Sequence, residues 1–237
     1  VSNQNQGIVM AFIAMLMLRL SLTDEYLLFV KAAMRPWLIT AGAVLALLAV
    51  TTFYRRPAAT AEHGDGHAHG GPRLAFLLAL PFAAVFVVTP APLGAFAAAR
   101  QTPRTPPPPS QTAGYVYPAL LPPVNGAYEM GLTDFIARSL YDDKHQMAGK
   151  PIRLTGFVTP ALNGSGFRLT RFVISCCAAD GTPVYVDVRT IRSPAADTWV
   201  VVEGMWSPAS SGAAAETPVL TAKSIRVIPQ PSDPYEG

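Results

Sequence analysis

Residues 150–176, KPIRLTGFVTPALNGSGFRLTRFVISC, hold two runs rich in β-branched and aromatic residues on either side of an NGSG turn at 163–166. Alternation of apolar and polar side chains is clear in IRLTGFV, the period of a half-buried strand. The same chemistry returns downstream in TPVYVDVRT (182–190), TWVVVEGMW (198–206) and PVLTAKSIRVI (218–228). Between these runs lie ADG at 179–181 and a Ser/Gly/Ala-rich loop at 207–216, both turn chemistry. Five short strands with few helices predict a small all-β, OB-fold-like barrel domain over residues 128–237. Ahead of them, Thr133 is placed to cap a short helix whose Phe135, Ile136 and Leu140 share one side.

Upstream the character of the chain changes. Residues 101–127 contain eight prolines, including the run 106–109, and read as an extended polyproline linker that spaces the domain from what precedes it. Residues 1–100 read as a membrane anchor. Its second candidate span, PWLITAGAVLALLAVTTFY (36–54), carries no charge and is closed by Arg55 and Arg56; its third, 74–99, is uncharged between Arg73 and Arg100. Both reach the roughly 20 apolar residues that a hydrocarbon core requires. The first, about 7–23, carries Arg19 near its end, where the guanidinium can snorkel; a signal peptide is the competing reading. The expected architecture is therefore three transmembrane α-helices followed by the β domain.

Composition agrees with a chain in contact with the lipid bilayer. Half of the 237 residues are hydrophobic and 14% are charged, against about 25% charged in an average soluble domain. The formal net charge of +3 invites a nucleic-acid reading, but from residue 128 onward ten Lys/Arg face eleven Asp/Glu. A nucleic-acid surface needs a basic stripe on the folded domain, so no nucleic acid is expected as a partner. There is no Gly-rich phosphate loop, no GxSxG and no HExxH, and the expectation is a non-enzymatic protein. Spans with almost no ionisable residues do not line a transport path by themselves, which makes the chain an anchor or a subunit, the alternatives being a membrane-tethered thiol redox protein and a structural assembly factor. Charges flanking the spans are nearly balanced; the expected arrangement is a multi-pass membrane protein with its C-terminal domain on the outer side.

Two clusters carry ligand chemistry. The loop EHGDGHAHG (62–70) presents His63, Asp65, His67 and His69, alternating donors on a Gly-rich stretch that can wrap zinc, copper or nickel, or be a solvated loop with no ligand. The second is Cys176–Cys177, the two cysteines of the chain, with Asp180 following and Arg171 before. Neighbouring residues of a regular strand point to opposite faces, so the two sulfurs share a ligand only where the strand ends or bulges. A thiolate metal site, a redox-active vicinal pair and simple core packing remain open on the sequence. His145 reads as a surface residue.

The combined pattern resembles a known family. Gly149–Lys150, Gly156–Phe157–Val158, Arg171–Phe172, Cys176–Cys177, Asp180, Pro183–Val184, Trp199–Val200, Gly204 and the closing Pro231–Tyr235 look like the YcgQ-like family of bacterial membrane proteins. The likeness also takes in FVKAAMRPWL before the second span and the His-rich loop. It implies a multi-pass protein of the bacterial plasma membrane with an extracytoplasmic C-terminal domain, a subunit of a two-component permease partnered by a multi-spanning permease of the YcgR type, and an association with metal homeostasis. Zinc is the cofactor or cargo it suggests.

Overall fold

The computed structural model describes residues 3–54, 91–108, 116–161, 166–206 and 217–236, together with Leu80, Ala84 and Pro208. The chain divides into two compact units, Val1–Ala91 and Pro92–Gly237.

In the first unit, α1 (Asn3–Leu22) and α2 (Arg35–Tyr54) form a hairpin joined by short 3₁₀ turns at Asp24–Leu28 and Ala32–Met34. The helices approach closely at Gly42, where an added Cβ would come within 3.0 Å of Leu18. The connection is pinned by Arg35, whose Nε donates to the Ser21 carbonyl at 2.9 Å while its guanidinium lies over the Tyr26 ring. Among the described residues one helix, Ala32–Thr52, is long and apolar enough to cross a membrane; the apolar part of α1, Gly7–Leu22, is shorter. The outer side of α2 leaves Trp37, Val44, Leu47 and Leu48 exposed.

The second unit is built on a seven-stranded mixed sheet: β1 (Tyr128–Glu129), β2 (Pro151–Pro160), β3 (Phe167–Val173), β4 (Thr182–Arg189), β5 (Trp199–Trp206), β6 (Val219–Val227) and β7 (Tyr235–Glu236). Strand order is β1-β2-β5-β6-β4-β3-β7, with β2 also pairing with β3. Four pairings are antiparallel, while β1–β2, β3–β7 and β4–β6 run parallel. Gly156 marks the place where β2 passes from β5 to β3. A Cβ there would lie 2.7 Å from the Thr170 carbonyl oxygen, so no larger residue fits without moving backbone.

Helix α3 (Leu132–Tyr141) packs its apolar side, Leu132, Phe135 and Ile136, into a core with Ile152, Leu154, Leu169, Val186, Val202, Trp206 and Leu220. A smaller cluster of Phe157, Phe172, Ile174, Tyr185, Trp199 and Tyr235 lies at the other side, with Leu93, Ala97 and Ala178 against it. The helix is capped differently from the sequence expectation. Gly131 is the N-cap and Thr133 lies inside the first turn. The Glu236 carboxylate accepts the Leu132 and Thr133 N–H groups at 2.7 and 2.9 Å and the Thr133 hydroxyl at 2.6 Å. An acidic group satisfies the unpaired amides and the positive end of the helix together.

The expected fold class, three transmembrane helices followed by a small all-β OB-like barrel, is corrected on both counts. One described helix has spanning length instead of three: the apolar run of α1 is short, and most of the third expected span, 74–99, lies outside the described residues. Its described end is not a continuous helix; it holds the four-residue helix Ala95–Ala98, entered through Pro92 and Gly94. Proline lacks an N–H to continue a helical ladder, which limits helix length there. In the second unit, β2-β5-β6-β4-β3 close on themselves through the β2–β3 pairing, but the two further strands, the three parallel pairings and the helix α3 in the core make it a seven-stranded mixed sheet with a helix and not the small all-β barrel expected. The described parts of 101–127 are tied to this unit: Arg104 N–H donates to the Pro183 carbonyl, Tyr141 Oη to that of Pro106, and Arg138 Nη1 to that of Pro118.

Candidate metal centre

The loop between β3 and β4 is short and held together by hydrogen bonds of its own. Ile174 is still buried, its N–H donating to the Glu236 carbonyl at 2.9 Å. The pleat then breaks at the bend Ser175–Cys176. Cys177, extended at φ −151° and ψ 167°, caps a single 3₁₀ turn, Ala178–Asp180. Gly181 closes the turn by donating to the Ala178 carbonyl, and Thr182 re-enters the sheet opposite Val173.

Asp180 organises this loop. Its Oδ1 accepts the Ser175 N–H at 2.8 Å; its Oδ2 accepts the Cys176 N–H at 2.8 Å and, more weakly, the Cys177 N–H at 3.4 Å. The Cys176 thiol donates to the same Oδ2 at 3.0 Å, and the two sulfurs stand 3.7 Å apart. Thus the bend overrides the opposite-face rule that holds within a strand, and one ligand atom each from Cys176, Cys177 and Asp180 falls within 4.8 Å of the others. Both cysteines are free thiols; Cys176 is exposed and Cys177 half-buried.

The electrostatics follow from these contacts. The hydrogen bond to Asp180, and then the neighbouring Cys177, push the Cys176 thiol up to about 11. The same bond from Cys176, reinforced by the amides of Ser175 and Cys176, holds the Asp180 carboxyl down to about 2. At neutral pH the loop therefore presents a protonated Cys176 beside a carboxylate. A cation that replaces the thiol protons meets two soft sulfurs and a hard oxygen, a donor set suited to zinc and its neighbours.

Of the residues singled out from the sequence, Cys176, Cys177 and Asp180 are brought together. Arg171 is not part of the cluster. Its Nη2 donates to the carbonyls of Asp233 and Tyr235 at 2.7 and 2.9 Å, and its Nε stands 4.0 Å from Glu236. His63, Asp65, His67 and His69 lie outside the described residues. His145 adopts φ 46° with its ring 5.8 Å from Trp206. Sequence reasoning missed the support beneath the loop. Ala178 packs on the smaller core cluster, and Leu93, whose N–H donates to Tyr235 Oη, reaches Gly181 so closely that a Cβ on that glycine would be 2.8 Å from it. The glycine after the aspartate was the signal for that close approach.

Two family models match the chain: the DUF1980 N-terminal domain over residues 6–102 and the DUF1980 C-terminal domain over residues 133–236. No curated protein and no solved structure matches it. The thiol–carboxylate loop lies within the second of these domains. The chain carries the DUF1980 N-terminal and C-terminal domains in order.

Proposed function

We propose that this chain is a non-enzymatic, membrane-associated subunit whose C-terminal domain takes up a thiophilic metal ion at Cys176, Cys177 and Asp180. The observation that carries the reading is the convergence of two thiols and a carboxylate on one loop, within 4.8 Å and open to solvent at Cys176. The apolar helix Ala32–Thr52 supports membrane attachment. Such a helix offers no ionisable path of its own, which favours a partner that supplies one. The YcgQ-like resemblance suggests a multi-spanning permease of the YcgR type as that partner, in a bacterial plasma membrane, with zinc as the cargo.

The redox alternative is weaker on the same geometry. A nucleophilic or redox-sensing cysteine needs a lowered thiol pKa, and Cys176 is displaced upward by Asp180. The test uses the full chain in detergent. Equilibrium dialysis against zinc and against copper(I) compares the native protein with the Cys176→Ser/Cys177→Ser double variant, which keeps the His-rich loop intact. Cysteine-dependent uptake is expected; equal uptake by both proteins would transfer the binding to other donors and end this reading. Capture of a multi-spanning partner by the tagged chain from native membranes, or its absence after crosslinking, tests the subunit role.

A further inference from the structure

Resting on that reading, we infer that the loop binds one divalent, four-coordinate d¹⁰ ion of the zinc class through three of the chain's own ligands, and that the fourth position is open for exchange with an outside donor. The sulfur–sulfur distance carries the choice of ion. Two thiolates on a tetrahedral ion with metal–sulfur bonds of about 2.3 Å lie about 3.8 Å apart. The Cys176 and Cys177 sulfurs stand 3.7 Å apart before any ion arrives. A two-coordinate linear ion with similar bonds would need about 4.6 Å, wider than the spacing at which the loop holds them. Adjacent cysteines rarely meet this condition in regular backbone, because successive side chains diverge. Here the bend at Ser175–Cys176 and the capping geometry of Cys177 set it in advance.

The third ligand is Asp180. Its Oδ1 remains bonded to the Ser175 amide and Oδ2 turns to the ion in place of the Cys176 thiol proton. Binding is balanced as one divalent cation entering and two thiol protons leaving to solvent, with two metal–sulfur bonds and one metal–oxygen bond formed. Three chain ligands leave one tetrahedral vertex, the arrangement of sites that keep a position for water or substrate and not that of closed structural sites. Among the described residues no other His, Cys, Asp or Glu joins the group. Cys176 is on the exposed side of the loop, so a donor from solution or from a partner can approach and remove the ion by ligand exchange.

The experiment is cobalt(II) titration of the full chain in detergent, with zinc and copper(I) competitions and imidazole as the outside donor. One cobalt per chain is expected, with the intense visible bands of a four-coordinate ion, a near-ultraviolet sulfur-to-cobalt charge-transfer band, and visible bands that shift when imidazole is added. Losing a whole ligand should exceed the 10–100-fold typical of losing an outer-shell contact, so Cys176→Ser and Cys177→Ser should each weaken cobalt binding by about 100-fold or more. Circular dichroism of each variant confirms that the domain remains folded, and Cys→Ala versions serve if serine does not. Weak six-coordinate bands, one ion per two chains, or copper(I) binding without cobalt binding would overturn this inference and leave the metal-binding reading standing. Intense bands that imidazole leaves unmoved would show a closed site and overturn the exchange position. No cysteine-dependent binding of any of the three ions would sink both.

Discussion

Replacing Asp180 by asparagine should make Cys176 more reactive, even though it removes a charge that looks like an activating base. The thiolate is the nucleophile, and the carboxylate that accepts the Cys176 thiol proton at 3.0 Å holds that proton in place. With the thiol at about 11 instead of its ordinary 9.0, the thiolate fraction near pH 8 is about 100-fold smaller than for an unperturbed cysteine. Lowering a thiol's pKa also lowers its intrinsic nucleophilicity, by about 8-fold for two units at a slope near 0.45. Because Cys177 supplies part of the shift, the net expectation is alkylation faster in the variant near pH 8 by up to about 10-fold. Asparagine keeps one acceptor oxygen, enough for the Ser175 or the Cys176 amide but not for both, so the amide shifts of the two residues are compared with the native protein to show that the turn survives the loss of charge. The assay is iodoacetamide labelling of Cys176 in a Cys177→Ser background, with and without Asp180→Asn, across pH 7 to 10. A change of less than about twofold, or slower labelling, would refute the claim that Asp180 controls the thiol.

Three further outcomes follow from contacts in the second unit. The depressed Asp180 carboxyl, held at about 2, contributes order to the loop that is fully present above the ordinary carboxylate range and lost as pH falls through 2. Amide shifts of Ser175 and Cys176 followed by NMR should therefore titrate near pH 2, and a midpoint near 4 would contradict the hydrogen-bond pattern. Glu236→Ala removes three hydrogen bonds to the start of α3; a loss of about 1–3 kcal/mol is expected in denaturant unfolding, and an unchanged midpoint would mean that water caps the helix as well. Gly156→Ala drives a methyl group to 2.7 Å from the Thr170 carbonyl oxygen and should cost about 1–3 kcal/mol, read as a lower Tm by tryptophan fluorescence.

What the sequence made legible was local. The runs at 150–160, 182–190 and 198–206 coincide with Pro151–Pro160, Thr182–Arg189 and Trp199–Trp206, because period-2 alternation and turn residues are properties of neighbours. Tyr128–Glu129 and Tyr235–Glu236 are two residues each, too short to show any period, and with them went the parallel pairings at the sheet's ends. The cap on α3 was misread for the same reason. A Thr three residues from Ile136 is a plausible local signal, whereas the carboxylate that does the work comes from Glu236, 103 residues away from Thr133. At the site, Asp180 could be found because it reaches back only four residues to the Cys176 amide. Leu93 and Tyr235, which support the loop from below, could not, since their link spans 142 residues and leaves no spacing to recognise.

The stretch from Pro92 to Arg104 has a mechanical consequence. It is fastened to the domain at four points: Leu93 N–H on Tyr235 Oη, Ala95 N–H on Asp197, the Ala98 carbonyl on Tyr185 Oη, and Arg104 N–H on the Pro183 carbonyl. A tug on the chain ahead of Pro92 is borne first by Leu93, which lies against Gly181 at the foot of the thiol loop. The segment by which the chain enters the domain and the turn that sets the spacing of the two sulfurs thus share a contact, Leu93 on Gly181, so the geometry of the thiol pair is coupled to how that entry segment is seated.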